Sequence, residues 1–362
     1  MPRWVVVACL VCLGLLWRLW LSTEFYGWEE SDYGNLAMVW GVLESGFTQH
    51  ELDHMPLYYV FCALVMAVVG DSVIAAGLVS MLAGVVAMGL SIGLADRVFG
   101  RRVAIFSGLL MIVQPEFALY SASFLREPLY AAFIMWMLWE LVSDRPLRAG
   151  LAAMAGFLVR FDGGLSLGFV LLGWVCLNRR EWRRRVLSLV PLVLGILGWA
   201  MYYHSIEGTW AFWSHAAQTN VNTGLGEEAT SRFGWWARGG AVSFALLTEL
   251  LPSRIGWGIA IGAGFVVLAQ ARKRTESERL WVLTAVALVG CWAGIGFVAQ
   301  HDANHNLYWK WLCPFVPVVI PVGVLQVLRW IDALKPVGWL GAQTLLVLIL
   351  GQAGWVEQKG VG

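Results

Sequence analysis

Twelve apolar runs, separated by short polar stretches, make up most of this chain. They cover residues 4–21, 57–70, 73–95, 103–120, 128–142, 149–159, 163–177, 186–203, 255–270, 280–299, 307–325 and 337–356. Crossing a bilayer takes roughly 20 helical residues, and several runs reach that length. Of the 362 residues, 59% are apolar and only 14% are charged. Soluble domains carry about 25% charged residues, so this chain cannot clothe a water-soluble surface. Its 22 Trp and a mean hydropathy of +0.67 point the same way. The expected fold class is an all-α polytopic membrane protein of about 11 transmembrane or membrane-entering helices. Disorder, collagen and coiled coil are excluded. A net charge of +1, with no basic, aromatic-interleaved segment, argues against a nucleic-acid partner.

The six cysteines, at 9, 12, 62, 176, 291 and 313, lie in or beside apolar runs and form no CxxC pair. They read as small buried hydrophobes and say little about compartment. The first run continues into Trp17, Arg18 and Trp20 without an A-x-A cleavage site. It is expected to stay as a first transmembrane helix.

The cations fix the topology. With the N-terminus inside, the cytoplasmic stretches hold Arg3, Arg97, Arg101, Arg102, Arg145, Arg148, Arg179, Arg180, Arg183, Arg184, Arg185, Arg272, Lys273, Arg274, Arg279, Arg329 and Lys335, which is 17 of the 25 Lys and Arg. Counting 57–70 as a full span would move two of these clusters outside. That short run therefore reads as a re-entrant or juxtamembrane helix. The runs 149–159 and 163–177 read as two short helices meeting at a polar point, Arg160-Phe161-Asp162-Gly163. Three regions follow: a transmembrane module over 1–203 with its first external loop at 22–56, an external loop over 204–254, and C-terminal helices over 255–362. All six histidines fall on the external side.

Polar residues at membrane depth are the candidates for chemistry. The first loop opens with Trp28-Glu29-Glu30-Ser31-Asp32-Tyr33. Asp32 suits the N-cap of a surface helix starting at Tyr33. Glu29 and Glu30 add more acid than a cap needs. Packed carboxylates raise one another's affinity for protons, which suits a general base, and they offer oxygen ligands to a hard divalent cation. The loop closes with His50-Glu51-Leu52-Asp53-His54, and His301 and His305 repeat the i, i+4 spacing; both pairs could hold a metal. Arg126 and Glu127 sit together after the serine-rich Tyr120–Ser123 stretch. Arg160 is an ionisable residue inside the membrane, and Asp162 is expected to hold it from behind. Lys310 precedes Pro314 and Pro317.

These features together resemble the GT-C glycosyltransferases, nearest to glycosyltransferase family 39, which includes protein O-mannosyltransferase and the lipid A aminoarabinose transferase. The family's Asp-Glu-x-x-Tyr-x-x-x-Ala pattern is matched by Glu29-Glu30-Ser31-Asp32-Tyr33-Gly34-Asn35-Leu36-Ala37, with Glu in place of the catalytic Asp. Its Pro-Leu-Tyr-Tyr-like helix start is matched by Pro56-Leu57-Tyr58-Tyr59, with His54 near a position often held by Lys. Arg97-Val98-Phe99-Gly100-Arg101 resembles the inner loop, Ser121 to Glu127 the serine-rich stretch, and Arg160-Phe161-Asp162-Gly163 the Arg-Pro-Glu-Gly-like break. Lys310-Trp311-Leu312-Cys313-Pro314 stands where the family has an Arg-led helix start.

The resemblance implies a polyprenyl-phosphate sugar donor, a lipid, glycan or protein acceptor, and inversion on the external face of a bacterial inner membrane. Glu29, Glu30 or Asp32 would be the base, with Glu127 next. Tyr33, His54, Tyr58, Arg126, Arg160, Asp162 and Lys310 would bind substrate. No cofactor is certain, and a divalent metal is possible. Two other classes fit the composition. A lipid-linked polysaccharide polymerase or ligase takes a lipid diphosphate and usually lacks the acidic first loop. A transporter needs ionisable residues along a path to both faces, and the inner halves of these runs are nearly free of them. The topology predicts that cysteines introduced at 48 and 222 react with an impermeant maleimide applied outside, and that one at 182 does not. External labelling at 182 would overturn the orientation.

Overall fold

The structure, a computed structural model, describes residues 2–24, 39, 41, 55–177, 181–210, 275–298 and 313–333. Every regular element among them is helical. The calls on Glu29, Glu30, Asp32, Tyr33, His50, His54, His301, His305 and Lys310 lie outside the described residues, as do the bulk of the 204–254 segment and the runs 255–270 and 337–356.

Helix α1 (Arg3–Glu24) is 22 residues long. Helix α2 (Leu57–Val69) has 13 residues, the short element expected there. It stops at Gly70, whose φ of 81° needs a residue without Cβ, and the Gly70 N–H returns to the Met66 carbonyl at 2.7 Å. Asp71 then caps α3 (Ser72–Val98), accepting from the Val73 and Ile74 N–H groups at 2.8 and 3.0 Å. A glycine stop followed at once by an acidic cap makes a tight α2–α3 hairpin.

The run 103–120, expected as one helix, is two: α4 (Arg101–Val113) and α5 (Pro115–Ala122). Pro115 has no N–H to continue the ladder. Gln114 caps the new helix, its side chain accepting from the Phe117 N–H at 2.6 Å. Next come α6 (Glu127–Val142), α7 (Pro146–Val159) and α8 (Asp162–Leu177). The expected break between α7 and α8 is present. A short α9 (Trp182–Arg185) runs through a 3₁₀ turn into α10 (Leu189–Glu207). Helices α11 (Glu276–Val298) and α12 (Val316–Ala333) complete the set.

Among the described residues, three helical stretches are long and apolar enough to cross a membrane: Trp4–Thr23, Val73–Val98 and Trp182–Glu207. Leu57–Val69, Pro146–Val159, Gly163–Leu177 and Cys313–Arg329 are apolar but shorter. Cys62 and Cys313 are buried as expected, whereas Cys9, Cys12 and Cys176 face outward from the bundle. In a bilayer that surface is apolar too, so their composition gave no sign of it.

Packing explains two oddities of sequence. Pro321 lies inside α12 and leaves the Pro317 carbonyl without its usual donor four residues on. Ser91 of α3 supplies one, its hydroxyl donating to Pro317 O at 2.5 Å. The Trp281 indole N–H of α11 donates to Val318 O at 2.8 Å beside it. Gly150 lets α7 lie directly against the start of α10. A Cβ there would stand 2.2 Å from the Ser188 carbonyl and 2.8 Å from the Pro191 ring. Small residues of this kind allow close helix approach in a membrane.

One end of the bundle is laced with ion pairs. Arg184 meets Asp144 at 2.7 Å, Arg185 meets Glu276 at 2.5 Å, and Arg102 meets Asp332 at 2.9 Å. These belong to the stretches that the cation count assigned to the cytoplasm. Gly150→Ala is expected to lower stability by about 1–3 kcal/mol through overpacking, read as a drop in melting temperature in detergent. Gly198→Ala, where a Cβ meets nothing within 4 Å, should cost nothing.

Candidate functional site

At the opposite end, two breaks in the helices converge with the start of α2. The connection from α5 to α6 spans Ser123 to Arg126, and α6 begins at Glu127, helped by Pro128 in its first turn. The Leu125 carbonyl accepts from the Ser80 hydroxyl of α3 at 2.7 Å. Ser80 is also 3.0 Å from the Tyr58 hydroxyl at the start of α2. One serine therefore ties α2, α3 and the connection together. Tyr58 and Tyr59 are fully buried and meet edge to face at 5.4 Å. Arg126 stands next to Glu127, at the N-cap of α6.

The second break is at Arg160. This residue leaves the helical conformation (φ −140°, ψ 129°), while its N–H still closes α7 onto the Gly156 carbonyl at 3.0 Å. Its own carbonyl accepts from the Gly163 N–H at 2.9 Å, opening α8. Gly156 and Gly163 face each other at the turn. A Cβ on Gly163 would lie 3.0 Å from both the Gly156 carbonyl and the Tyr130 ring.

Arg160 and Glu127 form the centre. The guanidinium Nη1 donates to Glu127 Oε1 at 2.7 Å, and both side chains are buried, 6% and 1% exposed. Tyr130, one turn along α6, lies under the guanidinium at 5.8 Å. Its hydroxyl is 2.8 Å from Ser166 Oγ of α8. Glu127 stands at the N-terminus of α6, where the helix dipole favours its negative charge. Its second oxygen, Oε2, is buried and accepts no hydrogen bond from the described residues. A buried carboxylate with a vacant oxygen can receive a proton or hold a substrate hydroxyl.

The motifs single out both Arg160 and Glu127, and lead one to expect Arg160 beside Asp162 and Arg126 beside Glu127. The structure gives Arg160 to Glu127, 33 residues away. Two adjacent residues on a turning chain point different ways, and the break aims Arg160 back at α6. Asp162 opens α8; its side chain lies outside the described residues. Tyr58, Arg126, Glu127 and Arg160 are thus all placed at this end of the bundle. Among the described residues no group of three His, Cys, Asp or Glu lies close enough to hold a metal. Arg18, passed over in sequence as the flank of a transmembrane run, is fully buried here.

Residues 53–203 match the model of a protein family described as dolichyl-phosphate-mannose-protein mannosyltransferase. This region contains the α2–α3 hairpin, the α5–α6 connection and the α7–α8 break. No curated protein matches the chain in sequence. Among solved structures the chain is similar to ArnT from Cupriavidus metallidurans bound to undecaprenyl phosphate, with TM-score 0.63 and 16% identity over 89% of this chain and 59% of that one. The same protein in its apo state gives TM-score 0.60 at 15% identity, covering 86% and 56%. An oligosaccharyltransferase from Archaeoglobus fulgidus, in complex with Zn and sulfate, gives TM-score 0.65 at 14% identity, covering 98% and 53%. The chain has the fold of these proteins and spans somewhat over half their length. It is an integral, multi-pass membrane protein that resembles the family 39 branch of the GT-C glycosyltransferases, as its motifs led us to expect.

The pair carries its own test. Removing one partner of a buried ion pair strands a charge and costs about 3–5 kcal/mol. Arg160→Met and Glu127→Leu should each lower the melting temperature sharply, and the double variant should recover most of the loss. Additive losses in the double variant would show that the two side chains do not act as a pair.

Proposed function

We propose that this protein is a membrane glycosyltransferase that moves a sugar from a polyprenyl-phosphate donor to an acceptor hydroxyl at the external end of the bundle. The observation that carries this reading is the buried Arg160–Glu127 pair with its vacant carboxylate oxygen, inside the region that matches the mannosyltransferase family. The ArnT structure bound to undecaprenyl phosphate, which shares the fold, supports a lipid phosphate as the donor's carrier. The acceptor class is a lipid, a glycan or a protein, and the membrane is a bacterial inner membrane.

The chemistry follows from the groups available. A carboxylate takes the acceptor's hydroxyl proton; Glu29, Glu30 and Asp32 of the first external segment are the candidates, with Glu127 next. The acceptor oxygen attacks the anomeric carbon from the side opposite the phosphate. The bond from that carbon to the phosphate oxygen breaks, and its electron pair stays on the phosphate. The products are the glycosylated acceptor, inverted at the anomeric carbon, and polyprenyl phosphate. Arg126, Arg160 and Lys310 are the cations that would hold the departing charge. Glu127 sets the orientation of the Arg160 guanidinium, so its loss would disturb phosphate binding even if the base lies elsewhere. Tyr33, His54, Tyr58 and Asp162 would line the sugar and lipid headgroup.

The purified chain would be reconstituted with undecaprenyl-phosphate sugars and membrane extract, and release of undecaprenyl phosphate followed. Replacing the base by its amide should reduce turnover about 10²–10⁴-fold with unchanged protein level. Arg160→Lys keeps the charge but loses the planar fork, and should weaken donor binding by about 1.5–3 kcal/mol. Full activity in all four variants, Glu29→Gln, Glu30→Gln, Asp32→Asn and Glu127→Gln, would overturn the carboxylate mechanism.

A further inference from the structure

Arg18 is a buried cation whose charge no acid balances among the described residues. It lies on α1 with no measurable exposure. Its Nη1 donates to the Gly14 carbonyl one turn back at 3.1 Å, and its guanidinium lies 4.9 Å over the Phe117 ring of α5. The remaining nitrogens, Nε and Nη2, are buried and meet no hydrogen-bond acceptor among the described residues. Those two nitrogens form a single edge of the guanidinium. Their N–H bonds point the same way, in the spacing that grips two oxygens of a phosphate or carboxylate at once. A vacant fork of this kind, closed from water, is costly unless an oxyanion fills it.

Gly84 of α3 stands beside the edge, where a Cβ would come 3.6 Å from Nε and 2.3 Å from Ser121 Oγ. The stacked rings of Trp17 and Trp20, 4.9 Å apart, are the aromatic pair that marks a membrane interface. Arg18 lies between them in sequence, so it sits near the level of lipid phosphates. Phe117 and Ser121 belong to α5, which leads directly into the connection that precedes Glu127.

We infer that the Nε–Nη2 edge of Arg18 binds the phosphate of the polyprenyl-phosphate carrier. The inference rests on the donor reading above and adds a cation that neither the motifs nor the family match assigned. It gives α1 a part in holding the lipid, in addition to Arg126, Arg160 and Lys310.

The test uses the full chain in nanodiscs with two probes, undecaprenyl phosphate and the uncharged undecaprenol. Affinities and melting temperatures would be measured for the wild type, Arg18→Lys and Arg18→Gln. The wild type should prefer the phosphate. Arg18→Lys should lose about 10- to 100-fold of that affinity, while undecaprenol binding and melting temperature hold. A wild type that does not prefer the phosphate overturns both this inference and the donor reading. A preference kept in both folded variants overturns the role of Arg18 alone. If neither variant folds, a structure of the wild type with undecaprenyl phosphate decides. Phosphate oxygens within hydrogen-bond distance of Nε and Nη2 are expected. A phosphate seated elsewhere, with water or a carboxylate of this chain on that edge, overturns the inference.

Discussion

A charge in an apolar interior is stabilised by an opposite charge, and the contact between Arg160 and Glu127 is where this chain does so at the end we propose to be functional. Much else depends on it. Helix α7 has to stop at Arg160 so that the side chain can turn back, and α6 has to begin at Glu127 so that its dipole supports the carboxylate. The glycines at 156 and 163 let the turn close tightly enough for Tyr130 to lie under the guanidinium. Ser80 and Tyr58 then hold the connection in place from α3 and α2.

The two ends of the bundle use ionic contacts differently. At the arginine-rich end the pairs are multiple and partly exposed, such as Arg184–Asp144 and Arg102–Asp332. Solvent screens such contacts and makes each worth little. At the other end a buried pair and a buried arginine with no acidic partner among the described residues lie in an apolar setting, where each polar atom matters. The first arrangement fits loops that need anchoring, and the second fits a site that handles a charged headgroup.

The helix map was largely legible because the apolar runs and the prolines act locally. The short 57–70 run and the break at Arg160 could be read from length and from a polar insert. The split at Gln114–Pro115 was missed, although proline chemistry alone could have revealed it. Partnerships were harder. Arg160 and Glu127 both stand out in the sequence, but their contact across 33 residues does not, because it depends on how α6, α7 and α8 pack. Arg18 carried no sequence signal at all. Near the end of an apolar run an arginine normally snorkels to the interface, and only its burial against Phe117 separates it from that pattern.

The shortness of α7 and α8 has a consequence for the lipid around them. Helix α7 has 14 residues, a rise of about 21 Å, against a hydrocarbon layer of roughly 30 Å. An upright helix of that length leaves a mismatch that the bilayer relieves by thinning. The thinning would be greatest along the flank where α7 turns into α8. A dimple there brings the headgroups of one leaflet down toward the Arg160 break. The protein would thus shape the membrane so that a lipid-borne phosphate arrives at the site by sliding sideways, without having to be lifted from the bilayer.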